Sequence, residues 1–167
     1  RLTSVAQAVI SGPPPRNFME VLHSWGNTWL WDNISLVGEH GWIKEAISDG
    51  SLLAVTDGSY IRELYLNLCS AAFVFECKKE QGCLIGSFSE SLRVANAYCG
   101  ELLGLMAIHL ILLSANRIHG SLAGSVEVVS DCLGALRRVT DLPAYQIPSR
   151  CKHSDILKNI LVNCRTL

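Results

Sequence analysis

The chain has 167 residues and a formal net charge of −1, with 49% hydrophobic and 17% charged residues. That length allows one domain plus an extension, and the apolar share supports a sizeable core, which excludes wholesale disorder. The near-neutral charge argues against a stand-alone nucleic-acid binder, which usually shows a basic excess, but leaves room for a basic patch or a basic neighbour in a longer chain.

In chain order, residues 1–16 carry Ser11-Gly12-Pro13-Pro14-Pro15, a stop signal and linker. Phe18, Val21, Leu22 and Trp25 follow helical spacing, with Gly26 placed to end that turn. Trp29, Leu30 and Trp31 form a dense apolar cluster that reads as packing for the main domain. Trp42 to Ser48 reads as a short helix closed by Asp49-Gly50. Leu52 to Tyr60 reads as a central strand, apolar enough to be buried on both faces, that ends on Asp57 and turns. Ala71 to Cys77 and Cys83 to Phe88, joined by the polar turn Lys78 to Gly82, read as an antiparallel hairpin.

Asn96 to Ala115 is the longest helical pattern. Gly100 and Gly104, one turn apart, predict a face pressed closely on another element. Val126 to Asp131 reads as a fourth strand and Cys132 to Val139 as a helix. Leu142 to Pro148 reads as an irregular connection, and Ser149 to Val162 as a last helix. A strand, a hairpin, a crossover helix and a parallel strand predict an α/β mixed sheet flanked by helices. The expected division is a helical connector over residues 1–50 and the main domain over 51–167.

Seven cysteines, at 69, 77, 83, 99, 132, 151 and 164, include no Cys-x-x-Cys pair, so a structural zinc site is not expected. The odd count and the lack of a signal-peptide pattern favour a reducing, intracellular setting. The most apolar run, Leu102 to Leu113, is short for a membrane span and contains His109, so no membrane partner is expected.

Three carboxylates fall at element ends. Asp57 ends the first strand and Asp131 ends the fourth. Parallel neighbours would bring both to one carboxyl edge, where open α/β sheets place ligands. Glu101 lies near the start of the long helix, on the face of Leu105, Ile108 and Leu112, and so points with the apolar stripe. Two like charges 4 Å apart cost roughly 4 kcal/mol at an effective dielectric of 20. Without a cation at least one pKa should rise. Hard oxygen ligands suit Mg²⁺ or Mn²⁺, and two such ions can drive phosphodiester hydrolysis.

Three segments carry a resemblance: Thr56-Asp57-Gly58-Ser59, Tyr98-Cys99-Gly100-Glu101-Leu102-Leu103-Gly104-Leu105 and Val129-Ser130-Asp131-Cys132-Leu133-Gly134-Ala135-Leu136. Together they resemble the ribonuclease H domain of retroelement reverse transcriptases, over about residues 52–163. The resemblance implies a ribonuclease H-like sheet and two Mg²⁺ (or Mn²⁺) ions held by Asp57, Glu101 and Asp131. It implies cleavage of the RNA strand of an RNA–DNA hybrid, with Gly58 and Ser59 at the substrate. The upstream polymerase portion of the same polyprotein is the implied partner, linked by the extension Phe18 to Gly50.

The chain departs from the family's pattern at several places. Ile61-Arg62-Glu63-Leu64 replaces a glycine-rich turn, Leu133 stands where a polar residue often contacts the hybrid, and Tyr98-Cys99 precedes Glu101 where Asn or Gln is common. The last strand, the His-containing loop and the fourth acidic residue of the family are expected to lie beyond the sequence. Cys151-Lys152-His153-Ser154-Asp155 reads as the start of a helix capped by Ser154 or Asp155, with Asp155 a lesser metal candidate. His109 and His153 read as structural or solvent-exposed rather than catalytic. The alternatives are a catalytically degenerate module of the same fold that connects or binds, and a different nuclease or integrase-like enzyme.

Overall fold

A computed structural model of the chain describes residues 17–79, 81–93, 95–120, 122–141, 147 and 153–164. The linker reading of 1–16 lies outside the described residues. So do the connection at 142–148, apart from the buried Ile147, and the start of the last helix at 149–152.

The elements are α1 (Phe18–His23), β1 (Asn33–Val37), α2 (Gly41–Ser48), β2 (Leu52–Ser59), β3 (Leu68–Cys77) and β4 (Cys83–Ser91). There follow α3 (Ala97–His119), β5 (Val126–Ser130), α4 (Leu133–Asp141) and α5 (Ser154–Cys164), with a 3₁₀ turn at Thr28–Trp31 between α1 and β1. Five strands form one mixed sheet in the order β1-β4-β3-β2-β5. The pairs β1–β4, β4–β3 and β3–β2 are antiparallel, and β2–β5 is parallel, with Thr56 opposite Ser130. Flanked by helices, this is the α/β arrangement expected from the sequence, consistent with a ribonuclease H-like order.

The described part of the extension, residues 17–50, is more than helical. Asn33–Val37 pairs with β4 and adds a fifth strand at the far edge. Its alternation is only five residues long and follows an aromatic cluster, so no helix or hairpin signal marks it. The cluster itself packs as expected: Trp31 is buried with its ring edge-on to Phe73, and its Nε1–H donates to the carbonyl of Leu22 at 3.0 Å. Trp29 meets Phe88 edge-on.

Strand alternation sets the layers. Leu52, Ala54 and Thr56 of β2, Cys69, Ala71, Phe73 and Phe75 of β3, and Leu84 and Phe88 of β4 are buried. On the other face Val55 is 36% exposed, and Asp57, Ala72, Ile85 and Ser87 are exposed too. The expectation that β2 is buried on both faces therefore fails. Its apolar run is continuous in sequence, but only alternate residues point at the helical layer.

That layer is dominated by α3. Its N-cap Asn96 accepts from the Cys99 N–H at 2.9 Å, and every residue from Cys99 to Ala115 is buried. At 23 residues α3 is longer than the apolar run within it, and by length and composition it could cross a membrane. In this fold 83% of its most apolar stretch is buried against the rest of the protein, as in a core helix. The two glycines behave as their spacing predicts. A Cβ on Gly104 would run into the Thr56 side chain, and one on Gly100 would lie 2.8 Å from the Ser70 carbonyl oxygen. Side chains at those positions would push the helix off β2.

Candidate metal centre

Each acidic residue arrives on a different element. Asp57 lies near the end of β2, Asp131 follows the last residue of β5, and Glu101 is in the first turns of α3. The parallel β2–β5 register carries the two aspartates to the same edge. The close α3–β2 approach lowers Glu101 between them. One oxygen from each carboxylate lies within 4.8 Å of those of the other two. Asp57 and Asp131 are exposed, whereas Glu101 is only 6% exposed.

Glu101 is held at both oxygens. The Gly58 N–H donates to Oε1 at 2.8 Å, and the Ser130 hydroxyl donates to Oε2 at 3.2 Å. Gly58 is required for the first contact, because a Cβ there would overlap the backbone of Glu101. Burial pushes the Glu101 pKa above the ordinary carboxylate value. The two hydrogen bonds oppose that rise, and the charges of Asp131 and Asp57 add to it. A cation beside the three carboxylates would offset that cost of the charged form. Each bonded oxygen keeps a further lone-pair direction, so the three carboxylates together could hold a metal ion.

Among the described residues the group stops at three. Asp155, on α5, is not part of it. His109 is buried within α3, with Nδ1 2.7 Å from the Leu105 carbonyl oxygen, and burial lowers its pKa, so it is structural as expected. His153 sits 3.0 Å from Asn96 Nδ2 and beside the Tyr98 ring, where it braces the start of α5 on the α3 N-cap.

Of the residues expected at the substrate, Gly58 has the structural task just described. Ser59 lines a shallow cavity of about 260 Å³ together with Asn33, Asp57, Ser70, Ser87 and Ser89. Ser130 and this cavity, which Ala71, Ala72 and Phe88 also line, were not read from the sequence. For Ser130 the available signal is a hydroxyl at the end of a Val-rich strand, directly before Asp131. For the cavity the signal is the alternation of Ser in β4, which means little until β1 and β3 are seen beside it. Leu133, at the start of α4, is 57% exposed. No protein-family model matches the chain, and no curated protein matches it.

Proposed function

We propose that this chain is a metal-dependent phosphodiester hydrolase of the ribonuclease H type, acting on the RNA strand of RNA–DNA hybrids. The observation that carries this reading is the convergence of Asp57, Glu101 and Asp131 from β2, α3 and β5 at one sheet edge. Three carboxylate oxygen donors, with no thiolate or imidazole among them, suit a hard cation, Mg²⁺ or Mn²⁺. Two ions are what the resemblance implies. When bound, the metal supplies positive charge for the charge that develops as a phosphodiester is hydrolysed.

The chain's own residues divide the work. Glu101, buried and fixed at both oxygens, is the rigid ligand. Asp57 and Asp131 are solvent-facing ligands that an approaching substrate can reach. Uncompensated, the three would repel a phosphate, so substrate binding should require the cation. In this reading a polymerase portion upstream in the same polyprotein delivers the hybrid.

A second reading, a non-catalytic binding module of the same fold, is favoured by the loop after β2. Ile61, Leu64, Tyr65 and Leu66 are all more than half exposed there, and Leu133 is exposed as well. Exposed apolar groups of this size suit a protein contact. The deciding experiment offers the domain, completed by the downstream segment that the resemblance implies, a labelled RNA–DNA hybrid and the matching DNA duplex, with and without Mg²⁺. The enzyme reading expects metal-dependent cutting of RNA alone, since the 2′-hydroxyl distinguishes the strands, and loss of cutting in Asp57→Asn or Asp131→Asn. No cutting of the hybrid in Mg²⁺ or Mn²⁺ would favour the binding module. Equal cutting of DNA would point to another nuclease class.

A further inference from the structure

The orientation of Glu101 depends on a residue outside the acidic trio. The last torsion of a glutamate side chain joins sp³ to sp² carbon and is soft, so a carboxylate held at one oxygen can still rotate. The Gly58 N–H fixes Oε1, and the fixing of Oε2 falls to the Ser130 hydroxyl. That hydroxyl is itself oriented, because the Cys132 N–H donates to Ser130 Oγ at 3.1 Å. A hydroxyl has one proton and two acceptor sites. With the backbone amide on an acceptor site, the proton is free to point at Glu101.

Ser130 ends β5, pairs with Thr56 of β2 and directly precedes Asp131. A single hydroxyl therefore ties the β5 edge, which carries one acidic residue, to the helix that carries another. We propose that Ser130 is a positioning residue that locks the Glu101 carboxylate before a cation arrives. The inference rests on the metal-site reading and adds to it a residue that touches no metal.

Partners that orient a ligand in this way commonly alter metal affinity by 10- to 100-fold when removed. The test compares Ser130→Thr with Ser130→Val, which share a shape and differ in the hydroxyl. Both are β-branched residues at home in a strand. Ser130→Ala serves as a second hydroxyl-free variant should valine prevent folding. Mn²⁺ is titrated calorimetrically into each variant, into wild type and into Asp57→Asn. Melting in chelator gives the metal-free stability.

The expected result is that Ser130→Thr binds Mn²⁺ as wild type does. The hydroxyl-free variants should bind roughly tenfold more weakly while melting close to wild type in chelator. Wild-type affinity in Ser130→Val or Ser130→Ala would overturn this inference and leave the metal site standing. Equal loss in the threonine and valine variants would also overturn it, because shape and not the hydroxyl would then matter. A wild-type trace matching Asp57→Asn would remove the metal site, and this inference with it.

Discussion

Glu101 is buried yet ionisable, and its burial raises its pKa in the folded chain. The sign of the consequence follows from linkage. A carboxyl with a raised folded pKa favours the fold below the ordinary carboxylate pKa and loses that contribution as pH rises through the folded value. In chelator, Glu101→Gln should therefore melt higher than wild type at pH 7, and the gap should close towards pH 4. Melting curves at the two pH values check this, and a gap that persists unchanged at pH 4 would contradict it. At this scale the sequence was most informative about chemistry. All three carboxylates were legible, because each broke an apolar pattern at a strand end or on a helix face. Ser130 was not, since its role depends on a distance between strand and helix that no periodicity encodes.

The element that decides the site is the α3–β2 crossing. Alanine at Gly104 gains about 1 kcal/mol of helix propensity. Its methyl, however, falls on the Thr56 side chain, whose hydroxyl already donates to the Ala72 carbonyl at 2.9 Å. Overpacking of this kind costs about 1–3 kcal/mol, so Gly104→Ala should lower stability and also weaken metal binding by lifting Glu101. Gly134 is the control. It lies in α4 with nothing within 4 Å of an added Cβ, and Gly134→Ala should stabilise by about 0.4–1 kcal/mol. Denaturant titration of both variants checks the pair, and equal effects would contradict the close-approach argument. The crossing was readable from two glycines one turn apart, and the hairpin from two apolar runs around the polar turn Lys78 to Gly82. β1 escaped notice because its place is set by pairing with β4, a long-range contact that five residues of sequence do not announce.

Across the whole molecule, the extension and the sheet share one core. Phe18, Leu22, Leu30 and Trp31 belong to the same buried cluster as Phe73, Ile108 and Leu157. Residues 18–50 should therefore unfold together with the remainder. Trp31→Ala should cost about 3–5 kcal/mol, a large part of the roughly 5–15 kcal/mol available to a domain. Circular dichroism and tryptophan fluorescence should then report one shared transition, and separate transitions would contradict a common core. Fold class was visible from element order alone, whereas the open second face of the sheet was not, because a continuous apolar run does not say how many faces are covered.

The claim on which everything functional depends is that the acidic trio binds a divalent cation, and a thermal melt tests it most directly. A cation that binds only the folded chain stabilises it by about 2.7 kcal/mol at a hundred times its Kd. Wild type and Asp57→Asn should change order. In chelator Asp57→Asn should melt at or above wild type, because one like charge is gone from beside Glu101. In millimolar Mg²⁺ wild type should rise above Asp57→Asn. Parallel curves that keep the same order with and without Mg²⁺ would contradict the account.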